Sequence, residues 1–216
     1  MSYSLNEIEA LAKRAARGGG LSWGISEEAA KAVRWLTSHG LPGGEALAGL
    51  LGQNDGVASD QVAPGDLDDV WHASNGALCP LISGAALNDY AERLAAGTDI
   101  TMRDVSYPLL VVPFAAWAAM HIKAQVGVSW GGMRVVTDGN GLGISDADDA
   151  LLVTKTPQLS CAQVTTATGA FSQPLSRGEV SPGAWATLND FAQRTYAPAT
   201  EASRRLGAGA GVSDND

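Results

Sequence analysis

The spacing of apolar and polar positions changes character along the chain. In the first fifty residues apolar side chains recur at helical intervals. Ile8, Leu11, Ala12 and Ala15 form one stripe, and Ser4 with Glu7 ahead of them spells a capping box. Glu7 and Glu9 sit early and Lys13, Arg14 and Arg17 late, as the helix macrodipole favours. Gly18, Gly19 and Gly20 end this helix. After a loop LSWG, Ser26 is the predicted N-cap of a second helix, with Glu27 and Glu28 in its first turn. Ala29, Ala30, Val33 and Leu36 are its stripe, Gly40 closes it and Pro42 blocks its continuation. A short third helix is predicted over residues 44–51. Residues 52–69 are polar and rich in Gly, Asp and Pro, which predicts a loop, and residues 70–80 follow neither period. Residues 85–96 fit a helix with Leu87, Tyr90, Ala91 and Leu94 inward, ended by Gly97.

From residue 98 the pattern changes. Residues 107–120, YPLLVVPFAAWAAM, carry no charge, and no other stretch is as apolar, so they are expected in the middle of the core. Within them, residues 109–112 read as a buried strand and Pro113 as the first turn of a helix over 114–124. Strands are predicted over 126–130 and 133–137. Asp138-Gly139-Asn140-Gly141 is a hairpin signal, because both dipeptides tolerate positive φ, and 142–145 is the return strand. Further strands are predicted over 151–154 and 160–168. Ser181-Pro182 starts a last helix, with Trp185, Leu188, Asn189, Ala192 and Tyr196 at its spacing and Pro198 as its stop. No internal repeat is visible.

These elements predict an α+β fold. It has an N-terminal helical layer (1–52), a mixed core (70–170) and a C-terminal helix with a Gly-rich tail (181–216), in a single domain over 1–216. The core is a mainly antiparallel sheet with a buried apolar helix.

Composition narrows the function classes. The chain has 216 residues, 45% hydrophobic and 17% charged, with a formal net charge of −9. A surface of that sign repels phosphate backbones and anionic lipid, so neither nucleic acid nor a membrane is an expected partner. The low charge content points to surface covered in a homo-oligomer. Residues 107–120 are too short to span a bilayer, and the opening residues lack the apolar run of a signal peptide. Two cysteines, Cys79 and Cys161, make no disulfide framework and no zinc spacing, consistent with reduced thiols in the cytoplasm.

The stretches LNEIEALAKRAARGGGLSWG (5–24), HGLPG (39–43) and TYAPATEASRRLGAGAGVSDND (195–216) resemble a family of uncharacterised bacterial proteins, mostly alphaproteobacterial, catalogued as a domain of unknown function. The resemblance extends over the whole length and is clearest at the two ends. It implies a cytoplasmic bacterial protein and brings no activity, cofactor or catalytic residue.

Two places can carry chemistry. In the first, Arg17, Ser22 and Trp23 lie just before a helix start. There free N–H groups and an arginine attract an anion, and the indole offers a stacking face. The same glycines also serve as a C-cap and turn. The tail would complete this site if it folds back, with Arg204 beside Arg205, Asp214 to orient a donor, and Tyr196 as a wall. In the second, Cys79 is a candidate nucleophile with His72 as base, against which stands a buried, inert thiol. His39 at a helix end and His121 late in the apolar helix are expected to be structural.

Residues 138–149 (DGNGLGISDADD) have acidic spacing suggestive of a calcium loop. However, Leu142 offers no oxygen at the fifth position and Asp149 replaces the bidentate Glu, so a hairpin and acidic turn are expected. Asp66, Asp68 and Asp69 read as a solvated or helix-starting cluster. No Walker, Rossmann, HExxH, GxSxG or kinase motif occurs, and neither a cofactor nor a metal is expected. The expectation is a protein that binds a small anionic metabolite. The alternatives are a small-molecule hydrolase or isomerase, and an accessory subunit of a partner enzyme.

Overall fold

The capping box forms as the sequence predicts. Ser4 accepts from the Glu7 N–H and the Glu7 carboxylate takes the Ser4 N–H, so α1 (Leu5–Gly18) starts directly after the short strand β1 (Ser2–Ser4). The structure, a computed structural model, describes residues 1–145, 151–165 and 171–196. Gly20 ends α1 at φ 89°, with the Leu21 N–H on Ala16 O and its own N–H on Arg17 O. That is a Schellman motif, in which a left-handed glycine satisfies the last carbonyls.

Helix α2 (Trp23–Ser38) begins four residues earlier than predicted. Its N-cap is Ser22, whose hydroxyl accepts from the Ile25 N–H, while Ser26 is buried and donates to Leu21 O. Helix α3 (Gly43–Gln53) follows, then a 3-10 turn at Ser59–Gln61.

The predicted helix over 85–96 is two helices, α4 (Pro80–Asp89) and α5 (Ala91–Ala95), bent at Tyr90. Strand β2 (Ile100–Ser106) went unpredicted. Ile100 and Met102 alternate inward, but Asp104 departs to φ 53° opposite Pro157, which has no N–H to offer the ladder. The bend breaks the two-residue period. Residues 70–80, which show no period, run beside β2, and Trp71 and Leu78 bond to its backbone in parallel bridges. This covers a sheet edge that would otherwise expose unpaired groups.

Residues 109–112 are not a strand. Pro108–Val111 is a 3-10 turn that runs into α6 (Val112–Ile122). Both prolines take first-turn positions, where a missing N–H costs nothing. A fully apolar run has no period to separate strand from helix, and residues 108–116 are buried throughout. The chain leaves the core at Met120, which is 53% exposed.

Strands β3 (Gln125–Trp130), β4 (Met133–Thr137) and β5 (Leu142–Ser145) form the predicted meander. Its second turn has Gly139 at φ 100° and Asp138 accepting from the N–H groups of Asn140 and Gly141. Strand β6 (Lys155–Val164) starts after the predicted 151–154 strand, whose residues form turns instead. Of the predicted strand 160–168, residues 166–168 lie outside the described residues, as does Pro198. Short β7 (Arg177–Glu179) pairs with β1, and α7 (Pro182–Gln193) starts at the Ser181-Pro182 signal.

The five-stranded sheet has the order β2-β6-β3-β4-β5 and every neighbour is antiparallel. Its register puts Ile100, Cys161, Val128, Val135 and Ile144 in one lateral row, and Thr101, Ser160, Ser129, Arg134 and Ser145 in the next. The first row is buried from Ile100 to Val135, while Ser129, Arg134 and Ser145 of the second are exposed. Helix α6 lies between β3 and β4 on one side and α2 and α4 on the other, and α1 packs on α2 and α7.

Gly84 of α4 marks a tight seam of this core, since an added Cβ would stand 2.3 Å from the Phe114 ring. Gly84→Ala is therefore expected to lower the urea midpoint by the equivalent of about 1–3 kcal/mol, despite alanine's helix preference. Gly52→Ala, with open space around its Cβ position, should be neutral or stabilise by up to about 1 kcal/mol.

Candidate functional site

Helix α1 ends in three cations on adjoining faces, Lys13, Arg14 and Arg17, and α7 ends beside them at Arg194. The two ends approach because Gly18 has no side chain: a Cβ there would lie 1.8 Å from the Phe191 carbonyl oxygen. Gly19 is held likewise against Leu51. Gly18 thus serves backbone contact, Gly19 close packing and Gly20 a turn. The cleft between the helix ends is lined by Lys13, Arg14, Arg17, Gly18, Trp23, Arg194 and Thr195, with a volume of about 460 Å3.

Each cation is held differently. Lys13 pairs with Glu27 at 2.7 Å, and Arg194 grips Asp55 with two bonds of 2.7 and 2.9 Å. The Lys13 ammonium beside Glu27 and the Arg194 guanidinium beside Asp55 hold both carboxyls below their ordinary range. The partners of Arg14 and Arg17 among the described residues are neutral. Arg14 donates to Ala10 O and the Tyr196 hydroxyl, and Arg17 donates to Leu21 O with its guanidinium 4.4 Å from the Trp23 ring centre. Among the described residues neither has a carboxylate partner, so both charges face the cleft uncompensated.

The sequence-predicted residues distribute as follows. Arg17 and Trp23 meet in the cleft, and Tyr196 reaches it through Arg14. Ser22 does not line it, because its hydroxyl caps α2. Arg204, Arg205 and Asp214 lie outside the described residues. Lys13, Arg14, Arg194 and Thr195 were missed. The first two were visible as late-helix cations, but nothing near Arg194 in the sequence signals that α7 ends against α1.

Cys79 and His72 are not brought into a catalytic pair. Cys79 is 1% exposed before α4, and burial pushes its thiol above the ordinary value although the N–H groups of Ile82 and Leu81 pull the other way. Its cavity holds only about 20 Å3, room for a single water. His72 is exposed, with Nδ1 3.0 Å from Val70 O. Cys161 in the sheet is pushed up to about 12, chiefly by burial and secondarily by the charge of Asp99.

The other candidates serve structure. His39 sits between Trp35 O (2.8 Å) and Asn140 O (3.0 Å), tying α2 to the β4–β5 turn. His121 is exposed beside Glu92 at 3.1 Å. Asp66 accepts from the Asp68 N–H within a turn. In the calcium-like segment, one Asp138 oxygen is engaged by the hairpin, and residues 146–149 lie outside the described residues. Among the described residues no group of three or more His, Cys, Asp or Glu is placed to hold a metal, and no helix is long and apolar enough to cross a membrane.

Residues 3–79 match the family model described as "Protein of unknown function (DUF3726)". That stretch contains two segments of the resemblance, 5–24 and 39–43, and the Lys13–Trp23 side of the cleft; segment 195–216 and Arg194 fall outside it. No curated protein matches the chain. A malate dehydrogenase from Entamoeba histolytica is similar in structure, with a TM-score of 0.45 and 13% identity. The match covers 76% of this chain and 48% of that one, so the chain spans about half the length of that protein.

Two outcomes follow from the buried thiols. Iodoacetamide should leave both cysteines unmodified in folded protein at pH 8 and label both in urea. Above about pH 9 an unfolded chain loses thiol protons that the native chain keeps, so native stability falls as pH rises. For Cys161 the loss continues to its folded value of about 12, at about 1.4 kcal/mol per pH unit. Urea titrations of wild type and Cys161→Ala from pH 8 to 11 check this: the wild type should lose its relative stability over that range.

Proposed function

We propose that the cleft between the ends of α1 and α7 binds a small anionic metabolite. The observation that carries this reading is the pair of guanidiniums, Arg14 and Arg17, that face one cleft without a carboxylate partner among the described residues. The chain's formal net charge is −9, so a local excess of positive charge stands out. Like charges one helical turn apart repel, and a bound anion relieves that repulsion. Arginine also presents a planar fork to carboxylate or phosphate.

In this reading Arg17 and Arg14 hold the anionic group, Trp23 shapes the wall, and Tyr196 positions Arg14 from beside the cleft. The protein works in the bacterial cytoplasm as a binding protein, in homo-oligomers or beside a partner enzyme. Cys79 and His72 take no part, because the thiol is enclosed and the imidazole is bonded elsewhere.

Thermal unfolding against inorganic phosphate and a series of small carboxylates tests the reading. A true ligand at a hundredfold over its dissociation constant stabilises by about 2.7 kcal/mol. Arg14→Ala should weaken that ligand about tenfold or more, since a hydrogen bond to a charged group contributes about 1.5–3 kcal/mol. A panel with no stabilising member, or a ligand indifferent to Arg14→Ala, overturns it.

A further inference from the structure

We infer that the ligand of this cleft carries its charge at one end and a flat unsaturated ring at the other, the ring stacking on Trp23. This rests on the anion-binding reading above and adds the class of molecule.

The charge sits at one end because the cleft's cations are not equivalent. Lys13 at one side is neutralised by Glu27, and Arg194 at the other faces Asp55 and Asp190. A second anionic group placed at either side meets a carboxylate already there. Among the described residues, the centre, Arg14 and Arg17, offers charge that no carboxylate compensates. A phosphate or carboxylate head suits that centre, whereas a polyanion spread along the cleft does not.

The ring follows from Trp23. It is 67% exposed, which is unusual for the largest apolar side chain, and it stands on the cleft wall. The neighbouring Gly24 has open space where a Cβ would be. The indole is also held in place: Arg17 lies 4.4 Å from its ring centre and is itself tied to Leu21 O. A positioned indole with an open approach offers rigid stacking area at little entropic cost. One arginine therefore serves both ends of the ligand, meeting the anion directly and steadying the aromatic wall. The volume of about 460 Å3 lies within the usual range for small-molecule clefts.

Two matched pairs of probes test this by calorimetry: phenyl phosphate against cyclohexyl phosphate, and benzoate against cyclohexanecarboxylate. Each pair keeps the anion and changes only the ring. The aromatic member of at least one pair should bind about tenfold tighter, as aromatic stacking predicts. Trp23→Ala should abolish the difference between the members of each pair, and Trp23→Phe should keep most of it. Trp23 is exposed, so both variants should fold. Equal binding within both pairs, or an aromatic advantage that survives Trp23→Ala, overturns the ring inference and leaves anion binding standing. If none of the four binds, both fall.

Discussion

The structure depends on burying a segment that has no polar side to offer. A helix that is apolar all round must be covered all round. Residues 108–116 meet that requirement by lying between the sheet and the helices, with Leu109, Val112, Phe114 and Ala115 removed from solvent. Strands β3 and β4 of the sheet cover one side of the helix, while α2 and α4 cover the other. Small residues let these layers close, as at Gly84 against Phe114. The strain at Tyr107, φ 40°, sits where the chain turns from β2 into this segment.

The cleft is a by-product of the same economy of side chains. Gly18 lets the end of α1 touch the backbone of α7 at Phe191, and the Schellman turn at Gly20 then sends the chain back into α2. The last two turns of α1 carry Lys13, Arg14 and Arg17, and Arg17 sits in the last turn, where the helix dipole favours a cation. Contact with α7 converts that local preference into a shared basic wall. Asp55, at the end of α3, anchors Arg194 on the far side. Packing brings four cations together, and the carboxylates at the margins leave the centre charged.

Cys79 illustrates how burial separates appearance from reactivity. A thiol ahead of a helix, close in sequence to a histidine, has the outline of a nucleophile with its base. Enclosure raises the cost of the thiolate more than the first N–H groups of α4 lower it. A nucleophile needs the opposite balance. The exposed cleft, with preformed charge and an open aromatic wall, is the better place for ligand chemistry.

What the sequence determined by itself was local. The Ser4–Glu7 capping box, the glycine that ends α1, the Asp138-Gly139 turn and the Ser181-Pro182 start all close hydrogen bonds within a few residues, so their chemistry is written in one short stretch. The α+β class followed from the order of such elements. Two of the residues that line the cleft, Arg17 and Trp23, were legible too. The tertiary structure decided the rest. It made residues 109–112 helical, because an apolar run carries no period. It made Ile100–Ser106 a strand by pairing it with β6, which the sequence hides because Asp104, at φ 53°, breaks the alternation between the Arg103–Gln158 and Val105–Thr156 pairs. It gave the cap of α2 to Ser22, leaving Ser26 buried. And it set Arg14 against Tyr196, 182 residues on, a contact that depends on the fit of two helices and on no spacing in the chain.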